Sequence, residues 1–194
     1  MILPILLIVS AVVAFYFWQN YNFFVTAKTR IGASIQEIGN QLKRQSNLIP
    51  NLIESTKGYL KHEKDIYQKI TEARTEITKA TQGNNAQAMM AASEKLTKAL
   101  NPIRVILESN PELKASETVN KLMDELRDTA DKIMYSRRTL IDLTADYNTR
   151  LVTFPSNLVA NLFKFKKEAG LAMPETEEAT SVTAEETKSP TVKL

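Results

Sequence analysis

The segment from Met1 to Trp18 contains no charged side chain, and the first charges that follow it are Lys28 and Arg30. As an α-helix this segment would be roughly 27 Å long, close to the ~30 Å hydrocarbon thickness of a bilayer. Aromatic residues end the segment, where an aromatic belt meets lipid headgroups. We therefore expect a membrane anchor that contains Ile2, Leu3, Leu6, Leu7, Val13, Phe15, Tyr16, Phe17 and Trp18.

A cleaved signal peptide is the alternative interpretation of this segment. Signal peptides have a shorter apolar region that usually follows Lys or Arg, and no basic residue precedes the apolar run here. Because Val12-Val13-Ala14 is a weak cleavage site, cleavage stays open as an alternative. Lys28 and Arg30 flank only the C-terminal side, which by the positive-inside rule predicts an outside N-terminus and a cytoplasmic body.

The composition favours long helices. The chain of 194 residues has only 5 Gly and 7 Pro, which is typical of helices rather than sheets. We predict an all-α fold with an N-terminal transmembrane helix followed by an up-and-down bundle of three to four long helices. The expected parts are an anchor at 1–27, a bundle at 28–168 and a disordered acidic tail at 169–194, which is too polar to offset its ordering entropy.

A repeat near 3.5 residues runs through the first part of the bundle and predicts left-handed helix-on-helix packing. The register continues across Pro50, which favours a kinked continuous helix as far as Ile77, and a full break at Pro50 is the competing interpretation. The residues of this stripe are Ile31, Ile35, Ile38, Leu42, Ile49, Leu52, Tyr59, Ile66, Ile70, Ala73 and Ile77.

Two further helices are predicted. Gly83 suits a left-handed helix end, and an Asn of the following Asn84-Asn85 pair caps the next helix, which Asn101-Pro102 interrupts. Asn110 caps a long helix that starts at Pro111 and ends near Val152. The apolar stripe of the second helix is Met89, Met90, Leu96, Leu100, Ile103 and Leu107; that of the third is Val119, Leu122, Leu126, Ile133, Leu140, Thr144, Tyr147 and Leu151, with Arg137 inside it.

The residues offer little for catalysis. The chain has no Cys and one His, which excludes disulfides, thiolate metal sites and multi-His centres. His62 is expected at the surface, and a buried structural pair of Glu63 with Arg137 is an option. We predict no enzymatic activity, no cofactor and no metal. The net charge of +3 is too diffuse to favour nucleic acid.

A short amphipathic stretch follows Pro155, from Ser156 to Lys167. Apolar and basic side chains together favour an anionic membrane surface, although an ordinary helix at the bundle end would look the same. The candidate lipid-contact residues are Phe163, Lys164, Phe165, Lys166 and Lys167.

Several segments together resemble the LemA family. The most specific is the run from Leu42-Lys43-Arg44 to Leu48-Ile49-Pro50-Asn51-Leu52, while Asn110 and Leu140-Ile141 depart from the family pattern. The other matching residues are Tyr21, Asn22, Gly58, Tyr59, Glu63, Arg74, Pro111, Leu113, Lys114, Arg137, Tyr147, Asn148, Phe154 and Pro155. The resemblance implies a bacterial single-pass membrane protein with a helical bundle. It implies no known reaction, and one branch of the family is associated with bacterial organelle membranes.

We therefore expect a non-enzymatic interaction module in the bacterial cell membrane. Its single anchor would hold the bundle at the membrane surface to engage lipid or an unidentified protein partner. Self-assembly into a membrane-organising scaffold is the alternative, since a long 3.5-residue repeat can also pair neighbouring bundles.

Overall fold

The computed structural model describes residues 2–59 and 63–171, with side chains described from residue 64 in the second range. Within these ranges the chain is helical and contains no strand, which confirms the all-α prediction. The elements are α1 (Ile2–Thr56), a 3-10 turn (Lys57–Tyr59), α2 (Glu63–Gln82), α3 (Ala86–Ser109), α4 (Pro111–Ala115), α5 (Glu117–Val152) and α6 (Ser156–Leu162). The predictions for His62 and for the tail beyond residue 171 lie outside the described residues.

The four long helices in this part of the chain form an up-and-down bundle, as predicted. α5 runs antiparallel to α1, because Phe24 packs on Tyr147 while Arg44, farther along α1, pairs with Glu125 at 3.5 Å. α2 also runs antiparallel to α1, since the Arg74 Nε donates to the Ser46 Oγ at 3.1 Å and Thr81 lies beside Gly39.

The bundle has two levels. The turn between α2 and α3 lies at the height of Gly39, because Thr81 and Met89 both contact that glycine. Below that height, α1 packs mainly on the C-terminal half of α5. We call this lower part, formed by residues 20–37 of α1 and 134–152 of α5, the stalk. The stalk connects the apolar beginning of α1 to the upper bundle, by which we mean α2, α3 and α4 with the parts of α1 and α5 that pack on them.

Helix α1 continues through Pro50, as the favoured interpretation of the sequence required, but it ends at Thr56. The predicted continuation to Ile77 is wrong. The buried Thr56 hydroxyl bonds back to the carbonyls of Leu52 and Ile53, and Gly58 follows within the 3-10 turn. The chain then reverses and returns as α2, so two antiparallel helices do form, with the break after Thr56 rather than at Pro50.

Helix ends were predicted with mixed success. The Asn85 side chain caps α3 by accepting the Ala88 N–H at 3.0 Å, as expected. The left-handed residue at the end of α2 is Asn84 (φ 48°) instead of Gly83. α3 runs through Asn101-Pro102 without interruption, and Asn110 makes no side-chain cap. Ser116 divides the predicted third helix into α4 and α5 by capping the latter.

The predicted stripes form the core, from Phe24 to Ala160. Two positions are wrong. Tyr59 lies exposed in the 3-10 turn after α1, and Arg137 is exposed, while the small Ser136 next to it is buried between Ile133 and Leu140. The helical face follows steps of three and four residues through 133, 136 and 140, which turns position 137 to solvent. Because Arg137 is exposed, it does not form the buried pair with Glu63 that the sequence left as an option.

Candidate functional site at the membrane-proximal end

The apolar beginning of α1 lies outside the protein core. Its predicted anchor side chains are exposed, with Tyr16 and Phe17 partly covered, and Trp18 is 61% exposed. No residue in its most apolar 18-residue window is buried inside the protein. Among the described helices, α1 has the length and composition to cross a membrane. A helical segment with large apolar side chains exposed on all sides is typical of membrane spans and of signal sequences.

Burial of α1 begins at Asn20, where an aromatic cluster surrounds the helix. Phe24 is fully buried and stacks on Phe165, with ring centroids 4.9 Å apart, while Tyr147 meets it edge-on at 5.5 Å. Tyr21 contacts Phe163 at 4.7 Å and Phe165 at 5.8 Å. The end of the chain that the structure describes is therefore fixed beside the exit of the apolar segment.

Residues 165–171, which we call the strap, follow α6 without helical structure. The strap lies along α1 and α5 and runs away from the apolar segment, because Phe165 contacts Phe24 while Gly170 lies beside Thr144. Asn148 holds Glu168 twice: its Oδ1 accepts the Glu168 N–H at 3.1 Å, and its Nδ2 donates to the Glu168 carbonyl at 3.0 Å.

Two further polar contacts hold the strap. The Tyr147 hydroxyl donates to the carbonyl of Lys166 at 3.0 Å, and the Lys28 ammonium pairs with the Glu168 carboxylate at 2.9 Å. The hydrogen bond and charge of Glu168 raise the pKa of Lys28. Burial, followed by the nearby Glu168 charge, raises the pKa of Tyr147, since both disfavour the phenolate.

A collar of exposed apolar and basic side chains lies at this end of the bundle, along α6 and the residues that flank it. Helix α6 buries Val159 and Ala160 and presents the opposite side to solvent, where Leu162 is 64% and Phe163 is 48% exposed. The Arg150 guanidinium lies over the Phe23 ring, 3.8 Å from its centroid, as a cation–π contact. The exposed members, which define the collar, are Phe154, Leu158, Leu162, Phe163, Lys164, Lys166 and Lys167.

The predicted lipid-contact set needs one correction. Phe163, Lys164, Lys166 and Lys167 are exposed, but Phe165 packs inward on the aromatic cluster. The reason is that α6 ends at Leu162 and Lys164 takes a left-handed conformation (φ 57°), so the helical periodicity does not reach Phe165.

The residues of the family resemblance are divided between structural and surface positions. Buried members are Leu42, Ile49, Leu52, Leu113 and Tyr147; partly buried members are Leu48, Arg74 and Asn148; exposed members are Tyr21, Asn22, Lys43, Arg44, Pro50, Asn51, Gly58, Tyr59, Pro111, Lys114, Arg137, Phe154 and Pro155. The Tyr59 hydroxyl donates to the Glu112 carboxylate at 2.9 Å, and this hydrogen bond joins the 3-10 turn after α1 to α4. The side chain of Glu63 lies outside the described part of the chain.

Sequence reasoning missed the role of Asn148. The residue was recognised as part of the resemblance, but its partner lies 20 positions away in a segment without helical periodicity. The Tyr147-Asn148 pair of the family resemblance was the one sequence feature that pointed to this position. Within residues 2–59 and 63–171, no group of three His, Asp or Glu residues is placed to hold a metal ion.

The chain was compared with known proteins. The model of the LemA family matches residues 34–184. The magnetosome protein MamQ of Magnetospirillum gryphiswaldense is 23% identical over 172 residues, which cover 77% of this chain and 63% of that relative. The chain thus spans less than two thirds of the length of this relative. Since the family model covers α1 beyond Ala33, the upper bundle, α5, α6 and the strap, the chain belongs to the LemA family.

Proposed function

We propose that the protein is a membrane-anchored, non-enzymatic interaction module that holds its bundle against the membrane surface. One observation carries this proposal: α1 is a single helix that leaves the exposed apolar segment at Trp18 and enters the core at Phe24. The bundle is therefore tied directly to the span without a flexible linker. Membership of the LemA family and similarity to a bacterial magnetosome protein support a bacterial membrane setting.

The collar supplies a second contact with the same membrane. It lies at the height of Tyr21, which is three residues, or about 4.5 Å of helix, beyond Trp18. Exposed leucine and phenylalanine side chains can enter the boundary between headgroups and acyl chains, and the neighbouring lysines attract anionic headgroups. The collar would hold the stalk close to the lipid surface and restrict its rotation.

Depth-dependent quenching tests this contact. The chain has no cysteine, so a single Leu162→Cys substitution carries one fluorescent label, and Val105→Cys on α3 is the matched control at another exposed apolar position. The full chain is reconstituted in vesicles that contain anionic lipid and a headgroup spin label. We expect strong quenching at position 162, little at 105, and a loss at 162 when Lys164, Lys166 and Lys167 are changed to Glu. Equal quenching at both positions would remove the collar from the proposal.

The interaction role follows from confinement. A bundle fixed at one height above a membrane meets other proteins of that membrane at raised effective concentration, so modest contacts suffice. Crosslinking in cells tests this role, with the expectation that the same protein partners are recovered repeatedly. Only random neighbours would be recovered if the bundle made no specific contacts.

Self-assembly is a second candidate function, because α5 carries exposed apolar residues in the stalk. Met134 is 67% and Tyr135 is 75% exposed, and Ile141 lies one to two turns farther along. Copies anchored in the same membrane would present these side chains at the same height, which suits a two-fold interface. Sedimentation of the full chain in detergent should show a dimer that is lost with Tyr135→Ser and kept with Val105→Ser. A strict monomer at high concentration would argue against this candidate.

A further inference from the structure

We propose that the stalk groove between α1 and α5 is a binding site for an extended protein segment, which the strap occupies in cis. A partner protein with a similar segment would bind by replacing the strap. This inference rests on the proposed interaction role and adds the site and the kind of partner.

The groove recognises the main chain of the strap. Asn148 matches both the N–H and the carbonyl of Glu168, and Tyr147 binds the carbonyl of Lys166. These three hydrogen bonds use backbone atoms that every extended segment offers. Added strands are recognised in the same general way, with main-chain bonds for affinity and side-chain pockets for specificity.

The side chains of the strap define the specificity. Phe165 fills the aromatic cluster beside Phe24, and the Glu168 carboxylate, three residues later, meets Lys28. The groove therefore selects an extended segment with an aromatic residue and an acidic residue three positions later.

Several features favour exchange of the strap. Lys166, Lys167, Ala169 and Gly170 are exposed, so the outer side of the strap faces solvent. Segments with few buried contacts open locally without unfolding of the core. An open groove would expose Phe24 and Tyr147, which gives a replacing segment an apolar surface to cover.

Peptide binding to the full chain tests the proposal. The probe is a fluorescent peptide with the sequence of residues 163–171, measured by anisotropy against the protein in detergent micelles without a membrane. A variant with Phe165→Ser and Glu168→Lys weakens the strap in cis. We expect this variant to bind the peptide at least tenfold more tightly than the wild type, since the competing strap no longer fills the groove.

Asn148→Ala in that variant should weaken peptide binding about tenfold or more, because two main-chain hydrogen bonds are lost. Asn101→Ala on the exposed side of α3 is the matched control and should change nothing. A probe with Lys in place of Glu168 should also bind more weakly. Absence of binding to the weakened-strap variant, with its helical content intact by circular dichroism, overturns the inference.

A disulfide lock tests it independently of the weakened variant. A Cβ on residue 170 would lie 3.9 Å from the Thr144 Cβ, a separation that suits a disulfide. Thr144→Cys with Gly170→Cys in the otherwise cysteine-free chain should therefore fix the strap when oxidised. We expect peptide binding at least tenfold weaker in the oxidised than in the reduced form. Equal peptide binding in the oxidised and reduced forms contradicts the inference. If the label at position 162 is still quenched in that case, the proposed membrane role is not affected.

Discussion

Individual residues set how closely the helices approach one another. Gly39 lies where the turn between α2 and α3 meets α1, and a Cβ there would be 3.1 Å from the Thr81 Cγ2. At Gly32, seven residues earlier on the same helix, no neighbouring atom lies within 4 Å of such a Cβ. The two glycines therefore differ in function: Gly39 permits a close contact, and Gly32 has no packing role at its Cβ.

Gly39→Val should lower the free energy of unfolding by about 1–3 kcal/mol, since the added methyl groups overpack the contact with Thr81 and Met89. Gly32→Val is the matched control and should change it by less than about 0.5 kcal/mol, because valine is a slightly better helix former than glycine. Urea unfolding of the full chain in detergent measures both. Equal losses at the two positions would show that the close contact of Gly39 with Thr81 is not what lowers the free energy of unfolding.

The Tyr147 hydroxyl makes stability sensitive to alkaline pH. Its pKa is raised by burial, and that of Lys28 is raised by Glu168, so both protonated forms are favoured in the folded state. The contribution of these two protonated groups to the free energy of unfolding is complete below their ordinary pKa values of about 10. It is lost as the pH rises through the raised values. Tyr147→Phe should cost about 1 kcal/mol near neutral pH through the lost bond to Lys166.

Thermal unfolding of the wild type and of Tyr147→Phe, followed from about pH 8 to pH 11, measures this effect. We expect the difference between the two proteins to shrink or reverse at the alkaline end, because the wild type must then bury a phenolate or release it to solvent. A constant difference over the whole range would mean that Tyr147 does not ionise together with the loss of structure.

At the scale of the elements, the sequence indicated the long helices much better than their ends. Apolar stripes with steps of three and four predicted the buried faces of α1, α2, α3 and α5, since each such stripe must be covered by another helix. The reversal after Thr56 was missed because the register of Ile49, Ile66 and Ile70 continues across it by coincidence. The strap could not be predicted for a different reason. Its hydrogen bonds to Asn148 form only when a non-helical segment 20 residues later packs back on α5, and the periodicity of the local sequence does not indicate such a contact.

Pro50 offers a test of element stability. It lies on the exposed side of α1, which stays helical for six further residues to Thr56, although proline removes one backbone hydrogen bond and crowds the preceding turn. Pro50→Ala should therefore raise the free energy of unfolding by about 1–3 kcal/mol. Chemical unfolding monitored by circular dichroism checks this value. Lower stability of the variant would contradict a purely destabilising effect of Pro50.

At the scale of the whole molecule, the apolar segment and the bundle are joined by one continuous helix, α1. The aromatic cluster, the strap and the collar all lie at the end of the bundle that adjoins the apolar segment. Charges near this end also bear on which side of the membrane the bundle occupies. Lys28 and Arg30 are the first charged residues after the apolar segment, and Arg150 lies at the same end of the stalk.

We expect the bundle on the cytoplasmic side, because basic flanks are retained there. A tag after Leu194 should resist protease in intact spheroplasts and be digested after lysis. A variant with Lys28→Gln, Arg30→Gln and two lysines placed at Ile2 and Leu3 should shift the population toward the opposite result. Digestion of the wild-type tag in intact spheroplasts would contradict the expected orientation.

The uninterrupted course of α1 also makes it a lever. From Tyr21 to Thr56 the helix extends about 54 Å beyond the apolar segment, with Pro50 only near its far end. A change of about 20° in the tilt of the span, within the range by which helices adapt to bilayer thickness, would move the far turn sideways by about 18 Å. Local thickness of the membrane could therefore decide which neighbours the tip of the protein can reach.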